Sequence, residues 1–376
     1  MIDPANFFKS LRENGITFFS GVPDSLLKDF CAFITDNSTK KNHIIAANEG
    51  NALSIGVGYH LSSSEIPLIY MQNSGLGNVI NPLLSIADRD VYSIPMILLI
   101  GWRGEPDVKD EPQHKKQGRI TIDLLETMEV PFEILNSSTN PEEANKLIKK
   151  IIDISRKEKR PCALVVSKGT FSSYELKNKE IFDRPLSREK AIELSLKEFS
   201  DDDIVVSTTG VTSRELFELR QKFGQGHKND FLTVGGMGHA SQIALGIALD
   251  RKDKEIFCLD GDGAFLMHMG SIAINGSIRC SNFKHILFNN SAHDSVGGQP
   301  TVGGKVNFLD IAKSCGYKWT RRVSKEKDII DSLRQLKDLD GPALLEIQVK
   351  PGFRKNLGRP TSSAKQNKEL FMKSLK

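Results

Sequence analysis

The chain has 376 residues and a mass of 41.8 kDa; with 39% hydrophobic and 26% charged residues it is not a disordered chain, and two soluble domains of ordinary size are expected. The formal charge is +4, but residues 350–376 alone carry +7 and the other 349 residues −3, which excludes a basic nucleic-acid-binding body. No apolar run approaches the roughly 20 residues of a membrane span, no basic-then-apolar leader surrounds Asp3 and Pro4, and Cys31, Cys162, Cys258, Cys280 and Cys315 form no CxxC pair, so a cytoplasmic protein with reduced thiols is expected.

Strand and helix signals alternate from the start. Strand-length apolar runs at 17–19, 43–46, 67–70, 95–100, 132–135 and 163–166 are separated by helical stretches at 6–13, 25–35, 49–61 and 141–155. A polar stretch interrupted by Pro185 follows, and a linker is expected at 176–187. The pattern then restarts. Helices are expected at 188–199, 213–222, 240–249, 264–278, 308–315 and 325–337, and strands at 204–207, 231–234, 255–259, 285–289 and 343–349. This order predicts an α/β protein of two doubly wound parallel-sheet domains, residues 1–175 and 188–376. Such sheets bind ligands beyond the carboxyl ends of their strands, so the informative residues are those that follow strands.

Two nucleotide motifs fail there. Gly261-Asp262-Gly263 has Leu266 where a dinucleotide fingerprint needs its third glycine, and Gly236-Met237-Gly238 has Ser241. Lys305 follows Gly304, but Val306 replaces the Ser/Thr of a phosphate-binding loop. A more specific pattern remains. One expected strand runs into Asp260-Gly261-Asp262-Gly263-Ala264 and another into Asn289-Asn290, with residues 264–288 between them. Adjacent strand ends bring a carboxylate and an amide oxygen together, a donor set suited to Mg²⁺.

This GDG…NN spacing resembles the cofactor motif of the thiamine-diphosphate enzymes. The resemblance implies that Asp262, Asn290 and the carbonyl of Ala292 hold Mg²⁺, with Gly261, Gly263, Ala264 and Asn289 around the cofactor. Ala47-Asn48-Glu49-Gly50-Asn51-Ala52 is similar to the family's pyrimidine-domain helix, whose Glu, here Glu49, bonds N1′ of the aminopyrimidine. Ser74-Gly75-Leu76-Gly77-Asn78 matches the next crevice loop and implies cofactor contacts for Gly75 and Asn78. Likewise Thr208, Thr209 and Gly210 fall where diphosphate is bound. Gly235 falls where a carbonyl accepts from the 4′-amino group, and Met237 where an apolar wedge supports the cofactor's V shape.

The short linker leaves no room for a central domain. The fold implied is therefore two domains of the thiamine-diphosphate-binding fold, pyrimidine-type then diphosphate-type, as in the two-domain 2-keto acid decarboxylases. Gly21-Val22-Pro23-Asp24-Ser25, Gly101-Trp102-Arg103-Gly104-Glu105-Pro106, Lys109-Asp110-Glu111-Pro112-Gln113-His114, the 293–301 segment and Gly358-Arg359-Pro360-Thr361 resemble the phosphonopyruvate decarboxylase family. That resemblance implies decarboxylation of 3-phosphonopyruvate to phosphonoacetaldehyde and CO₂ through a thiamine diphosphate ylide and enamine, within 2-aminoethylphosphonate biosynthesis. Sulfopyruvate, or another keto acid taken by a decarboxylase or carboligase of this class, stays open as the alternative.

Glu49 is then the residue that exchanges a proton with the cofactor, and His293 a proton relay. A dianionic substrate calls for cations: Arg103, Lys109, His114, Arg354 and Arg359 are the candidates, with Asp24, Ser25 and Asn73 as wall residues. The basic tail reads either as a cationic flap over the site or as a docked terminal helix. The family also implies self-association, with the active site between subunits, a small-molecule substrate, and no nucleic-acid or membrane partner. A noncatalytic nucleotide-binding protein is the rival class.

Overall fold

In a computed structural model, six parallel strands form the first sheet: β1 (Phe19–Gly21), β2 (His43–Ile45), β3 (Leu68–Gln72), β4 (Met96–Gly101), β5 (Phe132–Leu135) and β6 (Pro161–Val166), in the order β2-β1-β3-β4-β6-β5. β4 and β6 are buried along their whole length, which is why they read as unbroken aliphatic runs rather than alternating ones. Alternate side chains still part to opposite faces. Leu68, Tyr70, Ile97 and Leu99 join one core, Ile69, Met71, Leu98 and Ile100 the other.

The second sheet contains β7 (Ile204–Ser207), β8 (Asp230–Leu232), β9 (Ile256–Gly261) and β10 (Phe283–Asn289). After the short hairpin β11 (Ala292–His293) and β12 (Gln299–Pro300) it is completed by β13 (Trp319–Val323) and β14 (Ala343–Gln348). Its order is β13-β14-β10-β9-β7-β8, again all parallel. Counted from the start of each sheet, both read 2-1-3-4-6-5. The same fold is thus built twice without a visible sequence repeat. In each, the order reverses beside the first and third strands, and the loops after those strands flank the ligand crevice of doubly wound sheets.

The structure describes all residues except Ile181, which lies inside the expected 176–187 linker. Two compact units divide the chain, Met1–Lys179 and Glu180–Lys376, and the described residues form no third unit. The flanks of the polar stretch are not free chain. Leu176 and Arg184 are buried, and Asp36 accepts from the Lys177 and Asn178 amides at 2.8 and 2.9 Å.

Several elements differ from expectation: helices Leu76–Pro82 and Pro112–Thr127 and strand β13 fall where none is expected. The helix expected from residue 25 starts at Lys28, because the Asp24 carboxylate takes the Leu26 and Leu27 amides at 2.7 and 3.2 Å and holds a turn there. The helix expected at 264–278 is two, Asp262–Met267 and Ser271–Ile278. They are separated where the His268 ring stacks on His239, centroids 4.4 Å apart. Of the two readings of the basic tail, the docked terminal helix is the one found. Helix Ala364–Ser374 opens with a capping box and buries Phe371 in the second unit's core. Its Asn367 side chain donates to Asp230 O at 2.9 Å and accepts from Leu232 N at 3.2 Å, covering the otherwise open edge of β8.

Candidate active site

In the first unit, helix Glu49–Ser63 starts on an Asn48 cap whose side chain accepts the Asn51 amide at 2.9 Å. That places Glu49 in the first turn, at the carboxyl edge of the sheet, 6% exposed. The Asn78 amide donates to Glu49 Oε2 at 2.7 Å. Gly75 lies beneath the carboxylate, and a Cβ there would stand 2.5 Å from Glu49 Cγ and 2.7 Å from Oε1. Glu49, Gly75 and Asn78, all anticipated from the sequence, therefore share one place. Gly75→Ala is expected to displace the Glu49 carboxylate while leaving the fold intact. Turnover should fall steeply with an unchanged melting temperature, and full activity in a steady-state assay would contradict this.

The same segment, Asn73–Asn78, ties in the wall residues. Asn73 Nδ2 donates to Arg103 O at 2.8 Å and to Thr121 Oγ1 at 2.9 Å, and its Oδ1 accepts the Arg103 amide at 3.1 Å. Arg103 Nη1 donates to Ser25 Oγ at 2.6 Å, and Arg103 Nε to Asp110 Oδ2 at 2.7 Å. Asp24 is buried against Gly101, where a Cβ would meet its Oδ1 at 2.2 Å. Burial pushes the Asp24 carboxyl above its ordinary range, against the pull of the Leu26 amide and Arg103. At Asp110 burial acts the same way, but the hydrogen bonds from Arg103, Glu111 and Gly104 outweigh it and hold the carboxyl well below the usual range. Asp24, Ser25, Asn73 and Arg103 thus form one polar wall at the ends of β1, β3 and β4.

The second unit gathers the residues expected to hold the cation and the diphosphate. β9 runs directly into Asp262 and β10 into Asn290, neighbours by strand pairing. The Asp262 carboxylate accepts the Asn290 amide and the Thr301 hydroxyl. Asn290 Nδ2 donates to Asp294 Oδ2 at 2.6 Å, and Asn290 Oδ1 accepts the Ala292 amide at 3.2 Å. Between them Ser291 has φ +58°, a left-handed turn that folds residues 290–292 over Asp262. A buried carboxylate, an amide oxygen and a loop carbonyl fit a hard divalent cation.

Burial raises the Asp262 carboxyl to about 6, with the Thr301 hydroxyl, the Asn290 amide and Arg184 opposing. The carboxylate is therefore charged above about pH 6 and carries a proton below it. A cation must displace that proton, so Mg²⁺ affinity is expected to be flat above about pH 7 and to fall as pH drops below 6. Calorimetric Mg²⁺ titrations across that range, in buffers of different ionisation enthalpy, should show proton release near pH 6. Equal affinities at pH 5 and 7.5 would contradict this reading.

Met237 and His293 face the same point. A Cβ on Gly263 would come within 3.0 Å of His293 Cε1 and 3.2 Å of Met237 Cε. Burial pushes the His293 imidazole down to about 4 in spite of the nearby Asp294 carboxylate, so it is neutral at pH 7. Gly210, at φ +88°, turns the chain from β7 and Thr208-Thr209 into helix Val211–Lys222, close to Ser295. Gly235 belongs to the loop between β8 and helix Ala240–Asp250, and Ala264 is buried in the first turn after β9.

Other expected site residues are placed differently. Asn289 is fully buried, its amide donating to Gly303 O and Glu346 Oε1, both at 2.8 Å, and its oxygen accepting from Ser291. Its side chain braces the loop from behind. Arg354, expected near the substrate, is paired with Glu189 at 2.8 Å and with Glu218. Its charge is already neutralised, because the docked tail lays it across helices Arg188–Glu198 and Val211–Lys222. Lys109 and Arg359 are exposed, and His114 is buried near Gln113. Sequence reasoning missed Asp110, Thr121, Thr301 and Arg184 as supports of these groups, since only through-space contact assigns them.

Two family models match the chain. "Thiamine pyrophosphate enzyme, N-terminal TPP binding domain" covers residues 5–126, and "Thiamine pyrophosphate enzyme, C-terminal TPP binding domain" covers residues 210–347. Phosphonopyruvate decarboxylase of Streptomyces viridochromogenes is 32% identical over 96% of this chain and 91% of its own length. The Streptomyces hygroscopicus enzyme of the same name is 31% identical over 96% and 90%. Sulfopyruvate decarboxylase of Methanosarcina acetivorans is 26% identical over 91% and 90%. The cofactor is accordingly thiamine diphosphate (thiamine pyrophosphate) with Mg²⁺, and no helix among the described residues is long and apolar enough to cross a membrane. The chain belongs to the thiamine pyrophosphate enzymes and, within them, to the phosphonopyruvate decarboxylase family of 2-keto acid carboxy-lyases.

Proposed function

We propose that the substrate is 3-phosphonopyruvate and the products phosphonoacetaldehyde and CO₂. The reading is carried by the similarity to two phosphonopyruvate decarboxylases along nearly the whole chain, including the segments that form the Asp24–Ser25–Asn73–Arg103 wall. Bound thiamine diphosphate supplies the electron sink for the carbanion that loss of CO₂ leaves, which no side chain can supply. Around it the chain's own residues bind, orient and move protons.

Glu49 holds and exchanges a proton at N1′ of the aminopyrimidine, oriented by Asn78 and closely backed by Gly75. Asp262, Asn290 and the Ala292 carbonyl hold Mg²⁺, while Thr208, Thr209 and Gly210 receive the diphosphate. The backbone of Gly261, Gly263 and Ala264 lines its other side. Met237 would support the cofactor from the loop before helix Ala240–Asp250, and the Gly235 carbonyl would accept from the cofactor's amino group. His293, neutral at pH 7, relays a proton near the reacting carbon.

Arg103 and Ser25 present donors to the substrate's anionic groups, and Lys109 and Arg359 bring exposed charge. Because Asp110 already binds Arg103, this wall selects by hydrogen-bond geometry more than by net charge. The chain is read as self-associating, each site combining the pyrimidine-type half of one subunit with the diphosphate-type half of another. An active monomer in sedimentation would contradict that. The product aldehyde fits a place in 2-aminoethylphosphonate formation.

Sulfopyruvate is the second reading, favoured by the 26% identity to a sulfopyruvate decarboxylase over 91% of the chain. CO₂ release measured with each keto acid decides between them. A kcat/KM at least tenfold higher for phosphonopyruvate is expected; the reverse order would assign sulfopyruvate.

A further inference from the structure

Arg184 lies within the expected 176–187 linker, in the second unit, yet it is only 8% exposed. Its Nη1 donates to Asn289 O at 2.9 Å and Val349 O at 3.3 Å, its Nη2 donates to Ser291 Oγ at 2.9 Å, and its guanidinium lies over the Phe182 ring at 4.2 Å. No carboxylate among the described residues lies within ion-pair distance of it. A buried cation without a contact counter-ion is costly, so its placement asks for another account.

What it grips supplies one. Asn289 and Ser291 flank Asn290, and Ser291 is the left-handed residue between the two loop positions proposed to bind the cation. A β-carbon residue is held in that region only when its surroundings over-determine it. Here every polar atom of Ser291 is engaged. Its amide and hydroxyl meet Asn289 Oδ1 at 3.2 and 3.1 Å, its carbonyl accepts the Thr301 amide at 3.0 Å, and its hydroxyl also accepts from Arg184.

We propose that Arg184 is a positioning residue for the cation loop: gripping Asn289 O and Ser291 Oγ, it fixes the turn that brings Asn290 and Ala292 to the metal. The inference rests on the cation site proposed above. A purely electrostatic role points the other way, since a like charge near the site weakens cation binding. Arg184→Lys, which keeps the charge, separates that effect from the grip on the loop. Partners that orient metal ligands commonly change affinity by about 10- to 100-fold when removed.

The test is Mn²⁺ binding to the full chain with thiamine diphosphate present, free Mn²⁺ being read by electron paramagnetic resonance. Arg184→Met is expected to weaken Mn²⁺ by roughly 10- to 100-fold. Arg184→Lys should weaken it nearly as much, because an ammonium keeps the charge but cannot span both oxygens. Ser291→Ala, which removes the gripped hydroxyl and leaves the guanidinium in place, should weaken it several-fold. Wild-type Mn²⁺ affinity in Arg184→Met, whether or not its metal-free melting temperature falls, overturns the proposal. If that variant does not fold, wild-type affinity in Ser291→Ala overturns it instead. Asp262→Ala separates the two layers: retained Mn²⁺ binding there overturns the site itself, whereas its loss together with unaffected Arg184 variants overturns only the positioning role.

Discussion

Glu49→Gln is expected to lower kcat by roughly 10²- to 10⁴-fold, the usual worth of a positioned proton-transfer group, with little change in folding. Gln matches Glu in size, and its carbonyl oxygen can still accept from Asn78 Nδ2, the 2.7 Å contact that orients Glu49. What it cannot do is give and regain a proton at the aminopyrimidine. The side chain caps no helix and sits in the first turn above Gly75, so its loss removes chemistry rather than packing. Cofactor-induced stabilisation should survive, and steady-state kinetics beside a thermal melt checks both halves. Near-wild-type turnover would remove Glu49 from the reaction.

The second large effect is at Asp262. Asp262→Ala deletes the one carboxylate among the proposed metal-holding groups, and the remaining amide and carbonyl oxygens are weak ligands for Mg²⁺. Mg²⁺-dependent retention of thiamine diphosphate should be lost, and activity with it. The metal-free protein itself should be no less stable. Burial already disfavours the Asp262 charge, and removing that cost offsets the loss of its bonds from the Thr301 hydroxyl and the Asn290 amide. Equilibrium dialysis of the cofactor with and without Mg²⁺ measures this. Cofactor retention equal to wild type would show that the diphosphate is held without this carboxylate.

Much of this site was legible in the sequence because its chemistry follows strands directly. Asp262 and Asn290 end neighbouring strands β9 and β10, so a spacing along the chain translates into adjacency in space. Glu49, Gly75 and Asn78 meet for the same reason, on the helix and loop that follow β2 and β3. Local signals could not show which groups were already occupied. Asn289 and Asn290 look equivalent in sequence, yet Asn289 points back to Glu346 on β14, a partner 57 residues away. Arg354 reads as a free cation until the docked tail pairs it with Glu189 and Glu218. The break in the helix expected at 264–278 is likewise tertiary, set where His268 meets the Met237 loop through His239. The global charge of +4 proved a poor guide for the same reason: the tail that carries the excess is fastened to its own unit.

The most direct test of the whole account is incubation of the purified protein with 3-phosphonopyruvate, Mg²⁺ and thiamine diphosphate, followed by ³¹P NMR. The substrate resonance should be replaced by that of phosphonoacetaldehyde, with CO₂ released in equal amount and no inorganic phosphate. Turnover should vanish when the cofactor or Mg²⁺ is withheld. An unchanged substrate resonance, with the protein folded and the cofactor bound, would contradict it.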